Sequence, residues 1–424
     1  MNKTATTSEM IIADPSKYKW RALAGAVLGY LFDALDFMVL ALAIPLLVKL
    51  WGISLASAGL VSTATIFGAA LGGYFWGPLS DKYGRKKTMI VCLAWFGIFT
   101  FLCGLASTYS TLLILRFIAG LGLGGEWVIG AAFITEYFPP EQRARATSAV
   151  QSAWPLGYAV ALGVNAYIVP LYPLETGWKW LFYTGALAFV AVIYIAAFVP
   201  ESPAWLQSMK NRAEGITSVS KTVTEAVTWT DLFKGGNLKP FVLAFLLCAS
   251  CLVSYWGAGT WVPSYLSQVR GLDIRAMSGY LMVVNTCGFI GYYVYGYFAD
   301  KIGRRFNFIF GSLASAVVIL VWINVSSPSL ALVMAGLFGF ITYGYWGPLA
   351  AFTAEQFPTA VRGLGAGFAY ASGRMLSALA PFIMGGIATN VSLGFALGLI
   401  GIIYAIGAVV AFFMKETKTI VVVD

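Results

Sequence analysis

Long stretches without a single charge constrain this chain more than anything else in it. Residues 89–106, 180–199, 241–253, 308–325 and 393–414 contain no Asp, Glu, Lys or Arg. A helix needs about 20 predominantly apolar residues to cross the hydrocarbon core of a bilayer. Divided on that basis, the 424 residues give twelve hydrophobic stretches, centred near 35, 67, 97, 125, 158, 189, 252, 287, 316, 343, 377 and 403. Only 11% of the residues are charged and 59% are apolar, whereas a soluble domain carries about a quarter charged residues. The predicted fold class is an all-α membrane protein with twelve transmembrane helices in two six-helix bundles.

The first 20 residues are polar and lack a short apolar core followed by a small-residue cleavage site. No cleaved signal peptide is therefore expected, and the first apolar run serves as an anchor. Of the 27 Lys and Arg residues, 21 fall on the side of the alternating loops that holds both termini. Four lie on the other side, and Arg116 and Arg374 lie within spans. Basic residues mark the cytoplasmic side, so both termini are expected in the cytoplasm of a prokaryote, with the protein in its inner membrane. The net charge of +9 then reflects topology, and no nucleic-acid partner is implied. All five cysteines sit in apolar runs, with Cys248 and Cys251 one helical turn apart. They read as small buried residues, without disulfide or metal site. The chain has no histidine, so carboxylates are the natural proton carriers.

The expected organisation is a bundle over 1–200, a cytoplasmic linker over 201–238 that includes some amphipathic helix, and a second bundle over 239–424. The bundles repeat one another. Gly77-Pro-Leu-Ser-Asp81-Lys-Tyr-Gly84-Arg85-Lys86 follows the second span, and Gly296-Tyr-Phe-Ala-Asp300-Lys-Ile-Gly303-Arg304-Arg305 follows the eighth, 219 residues on. At the same offset, Ala131-Ala-Phe-Ile-Thr-Glu136-Tyr-Phe138-Pro139 with Arg143 matches Ala350-Ala-Phe-Thr-Ala-Glu355-Gln-Phe357-Pro358 with Arg362. Repeated helix bundles around a central site are a common construction for secondary transporters.

The loop pattern GxLxDxxGR followed by Lys or Arg resembles the hallmark of the major facilitator superfamily, with Phe298 in place of Leu in the second copy. The resemblance covers the whole chain. It implies a cytoplasmic gate that latches neighbouring helices while the carrier faces outward, formed by Gly77, Asp81, Gly84, Arg85, Glu136, Arg143, Asp300, Gly303, Arg304, Glu355 and Arg362. The glycines are read as allowing close helix packing. Arg116 with Gly120, Gly122 and Gly124 resembles the RxxxGxGxG pattern of the fourth helix. Pro200-Glu201-Ser202-Pro203-Ala-Trp205-Leu206 and Lys415-Glu416-Thr417-Lys418 resemble the PESPRWL and PETKG segments of sugar porters. Leu31-Phe-Asp33-Ala-Leu-Asp36-Phe looks like the nicotinate, sialate and aromatic-acid proton symporters. The fifth span lacks the Gly-Pro clustering typical of drug/proton antiporters.

Five ionisable residues lie deep in the spans: Asp33, Asp36, Arg116, Glu126 and Arg374. A charge at the bilayer centre costs at least ~2.5–3.5 kcal/mol on insertion scales, so each is a functional candidate. Asp33 and Asp36, three residues apart, share a helix face. Helix four neighbours helix one in the family, so Asp36 is expected to pair with Arg116 in one state and to take up a proton in another, with Asp33 as second acid. The pair could equally be permanent. Glu126 is a third protonatable group, a substrate contact or a packing residue. Arg374 suits a carboxylate, which a guanidinium grips through two parallel hydrogen bonds; it could instead pair with an acid across the bundle. Tyr255, Asn285, Tyr292 and Trp346 are the expected substrate contacts among many aromatics.

These residues predict a secondary active transporter that imports a small organic acid, a monocarboxylate or an aromatic acid, with protons by alternating access. A sugar or polyol symporter is the alternative, ahead of a drug or metabolite efflux carrier. No Ser/His pair or metal cluster exists to support an enzyme. The expected partners are a small-molecule substrate, protons and lipid, with no cofactor or metal and a monomeric chain.

Overall fold

The computed structural model describes residues 15–213, 232, 236–358 and 361–417, and the regular elements in them are helices. Twelve rods follow one another: α1 (Pro15–Trp51), α2 (Leu55–Tyr83), α3 (Arg85–Cys103), α4 (Tyr109–Tyr137), α5 (Ala146–Leu171) and α6 (Leu174–Phe198) in the first half. The second half contains α7 (Leu238–Ser264), α8 (Ile274–Ile302), α9 (Arg304–Asn324), α10 (Pro328–Gly344), α11 (Arg362–Ser377 continued by Ala380–Asn390) and α12 (Leu393–Phe413). Ten helices among the described residues are long and apolar enough to cross a membrane. The other two rods are α8, diluted by Asn285 and a run of tyrosines, and α11, which carries Arg374 and breaks before Ala380. A helix over Pro203–Ala213 begins the expected linker, while 214–231 and 233–235 lie outside the described residues.

Helix ends differ between the two faces of the molecule. On the face away from the repeated loop motifs, Ser54, Thr108, Asp273 and Ser392 each accept a backbone N–H from the first turn of α2, α4, α8 and α12. Such caps satisfy donors that a helix start leaves unpaired. On the motif face the α2–α3 and α8–α9 joints turn through single glycines, Gly84 at φ +103° and Gly303 at φ +127°. L side chains rarely adopt that backbone region.

The close approach expected of the motif glycines lies elsewhere. A Cβ on Gly77 would meet Val128 at an ordinary 3.6 Å, and one on Gly296 would meet nothing within 4 Å. Inside the same pair of helices, a Cβ on Gly72 would fall 2.0 Å from the Leu121 carbonyl, and one on Gly124 would fall 1.9 Å from that of Ala69. Small residues thus bring the α2 and α4 backbones together in mid-span, where lipid supplies no hydrophobic drive for association.

The halves meet along α1 with α7, α2 with α11 and α5 with α8. The seal lies away from the motifs. Thr389 accepts the Ala56 N–H at 3.2 Å, and Thr63 accepts the Phe382 N–H at 3.2 Å. Asn165 donates to Ser278 at 2.9 Å. Gly59 abuts the Pro381 carbonyl and Gly385 that of Leu55, each too closely for any side chain.

Candidate transport site

Asp36 and Arg116 meet as expected, in a dry setting. Arg116 Nη1 donates to Asp36 Oδ1 at 2.8 Å, with both side chains buried. Thr100 also donates to that oxygen, and the Arg116 Nε–H reaches Thr65 Oγ1 at 3.3 Å. Asp36 is thus held inside the first half, between α1, α3 and α4.

Asp33, one turn earlier, has different neighbours. The charge acting most strongly on it is Arg374 of α11, from the other half. Glu126 and Asp33 also act on one another. Both acids are buried, and each keeps one oxygen without a hydrogen-bond partner among the described residues. Glu126 fills the space before Gly29, where a Cβ would stand 2.7 Å from its Oε1. Tyr30 of α1, Tyr292 of α8 and Tyr370 of α11 border this group. Tyr30 and Tyr370 do not stand out as site residues in the sequence, because one tyrosine among many gives no signal until the helices are brought together.

Arg374 is half-buried and stands 6.0 Å over the Phe37 ring. Phe37 and Trp154 from the first half meet Trp256 and Tyr255 from the second. Ring centroids lie 4.7 Å apart for Phe37–Trp256 and 6.3 Å for Trp154–Tyr255, and Trp154 Nε1 donates to the Tyr255 hydroxyl at 2.6 Å. Trp346 continues the cluster, 5.3 Å from Tyr255. Tyr255 and Trp346 therefore border the interface. Asn285 also braces the fold. Its Nδ2 donates to the Pro155 carbonyl of α5 at 2.9 Å, which ties the halves together and leaves only its Oδ1 free.

The motif residues form two separate clusters. In the first half Arg85 pairs with Asp81 at 2.5 Å and with Glu136 at 3.2 Å, and Ser202 donates to Glu136 at 2.5 Å. Arg143 donates to the Phe138 carbonyl at the end of α4. In the second half Arg304 pairs with Glu355, while the side chain of Asp300 lies outside what is described. Arg362 is half-buried, with its Nε unpartnered. All these pairs stay within one half. The expected latch across the cytoplasmic side while the carrier faces outward is the opposite of this state, in which the far face is sealed.

Two further residues belong to the clusters and were absent from the expected gate. Glu201 accepts the backbone N–H groups of Lys86 and Ser202, and Glu416 accepts those of Arg304, Arg305 and Thr417. Each carboxylate thereby caps the helix that starts at Gly84 or Gly303, where the helix dipole favours negative charge. The segments that resemble sugar porters thus have a local structural use.

Comparison with known proteins agrees with this architecture. The family model "Major Facilitator Superfamily" matches residues 26–349 and 286–422. The cis,cis-muconate transport protein of Acinetobacter baylyi is 32% identical over 95% of this chain and 96% of its own length. The niacin transporter NiaP of the same organism is 30% identical over 87% of each chain. Among solved structures, the inward-open xylose transporter XylE from E. coli superposes with a TM-score of 0.79 at 20% identity, covering 95% of this chain and 98% of that one. This chain is an integral membrane transporter that belongs to the Major Facilitator Superfamily.

Proposed function

We propose that this protein imports a small organic acid together with protons, by rocking its two six-helix halves, residues 1–200 and 239–424, about the Asp33–Arg374 site. The observation that carries the reading is Arg374, a half-buried guanidinium opposed across the interface by Asp33. While Asp33 is charged it neutralises Arg374. A proton on Asp33, or on Glu126 beside it, frees the guanidinium to take a substrate carboxylate through two parallel hydrogen bonds. Proton and anion then cross together, and loss of the proton on the far side restores the Asp33–Arg374 attraction that expels the anion. Relatives named for muconate and niacin transport support an acid as cargo. The excess of Lys and Arg around the motifs marks that face as cytoplasmic, with both termini there, so the sealed far face makes this the inward-facing state. The protein then resides in the inner membrane of a prokaryote.

Arg374→Lys tests the reading. Lys keeps the charge and loses the planar fork, and a charge-assisted hydrogen bond contributes about 1.5–3 kcal/mol. In proteoliposomes with an inward proton gradient, KM for the carried acid should rise roughly 10–100-fold. An unchanged KM would remove the anchor.

A further inference from the structure

A second cavity adjoins this site and the proton cycle makes no use of it. It lies among α5, α7, α8, α10 and α12, a narrow space of about 330 Å³ bordered by Tyr158, Tyr255, Gly259, Thr342, Tyr343 and Tyr404 and by no charged residue. Small-molecule sites have this apolar, aromatic character with a few placed polar groups.

Two features suggest that the space is built for a ligand. Gly259 stands in the middle of α7, where glycine weakens a helix. A Cβ there would meet nothing within 4 Å, whereas one on Gly257 would touch Ile400 at 3.2 Å. Packing therefore does not account for Gly259, and its missing side chain keeps the space open. Gly259 also borders the gap beside Phe37 and Trp256, and Arg374 stands over Phe37, so the cavity opens toward the guanidinium. The second feature is Tyr404. Its side chain is 1% exposed and its hydroxyl has no hydrogen-bond partner among the described residues. Neighbouring Thr342 directs its own hydrogen to Ser315 at 3.4 Å. A buried hydroxyl normally finds a partner.

We infer that this cavity holds the body of the carried acid, an aromatic carboxylate whose ring lies among Tyr255, Tyr343 and Gly259 while Tyr404 hydrogen-bonds a polar ring atom such as a hydroxyl or a pyridine nitrogen. The inference rests on Arg374 as the carboxylate anchor. A sugar would need many amide and hydroxyl partners, which these walls do not offer.

The test is binding of benzoate, para-hydroxybenzoate, nicotinate and propionate to the purified full-length protein and to Gly259→Leu, Tyr404→Phe and Arg374→Lys. Gly259→Leu should weaken every ring acid at least tenfold and leave propionate unchanged. Tyr404→Phe should weaken para-hydroxybenzoate or nicotinate about five- to tenfold and spare benzoate; this isosteric change keeps the inference testable if Gly259→Leu fails to fold. Ring acids that bind Gly259→Leu as they bind the parent would overturn it, as would a Tyr404→Phe effect equal on benzoate. If the parent binds propionate and no ring acid, the cavity assignment falls while the anchor stands. If Arg374→Lys leaves all affinities unchanged, the anchor falls.

Discussion

At the scale of single residues, the two aspartates of α1 divide their roles although only one helical turn separates them. Asp36 faces Arg116 and Thr100 in a dry, hydrogen-bonded pocket. Removing one partner of a buried pair leaves the other charge uncompensated, at a cost of about 3–5 kcal/mol. Asp36→Asn is therefore expected to lower the melting temperature or the folded yield sharply. Asp33→Asn should melt like the parent, exchange substrate across the membrane and fail to accumulate it against a pH gradient. Should Asp36→Asn prove as stable as the parent and merely uncoupled, the assignments would reverse. Glu126 can be probed without altering it. Gly29→Ala would set a methyl group 2.7 Å from the present position of its Oε1. The carboxyl then has to swing aside, and transport should slow several-fold while the melt stays unchanged. The Asp36–Arg116 pair was legible in the sequence because two opposite charges in lipid have few other places to go. The Asp33–Glu126–Arg374 group was not, since its three members lie on α1, α4 and α11 and only packing selects among the possible pairings.

At the scale of elements, the repeated loop motif works through its helix joints. Gly84 and Gly303 turn the backbone, and Glu201 and Glu416 cap the helices that follow. Losing a helix N-terminal cap costs about 0.5–2 kcal/mol. Glu201→Ala is expected to destabilise the first half by that amount and to speed hydrogen exchange at the start of α3. Gly77→Ala, by contrast, should be tolerated, because its methyl group would meet Val128 at ordinary contact distance. Equal effects from the two substitutions would contradict this division of roles. The sequence offset hid the capping pair. Glu201 and Glu416 are 215 residues apart, while the motifs repeat at 219, so matching positions by a single offset passes over them. Spatial symmetry pairs what sequence register does not.

At the scale of the whole molecule, the halves are held together by neutral groups. Thr63, Thr389, Asn165, Ser278 and Asn285 bridge them through single hydrogen bonds, and glycines let carbonyls approach. Each such bond contributes only about 0.5–1.5 kcal/mol net, which suits an interface that must open in every cycle. A disulfide between cysteines placed at Ala56 and Thr389 should hold the far face shut, stop transport under oxidation and release it on reduction. The native cysteines are free, and a parent with all five replaced by serine serves as the control. Transport that continues while the cross-link is intact would mean that this face does not open during the cycle.

The sequence by itself determined the solvent, the helix count, the duplication and the identity of the deep charges. These follow from local composition: lipid tolerates only apolar helices, and a charge placed among them stands out. Tertiary structure alone decided which acid faces which arginine, which face is sealed and where space is left open. Those outcomes depend on helix rotation and on approach distances of a few tenths of an ångström at glycines, and no run of residues along one chain encodes them visibly. The duplicated motifs mark where the halves are braced. The asymmetric charges and an unfilled glycine mark where the cargo is handled.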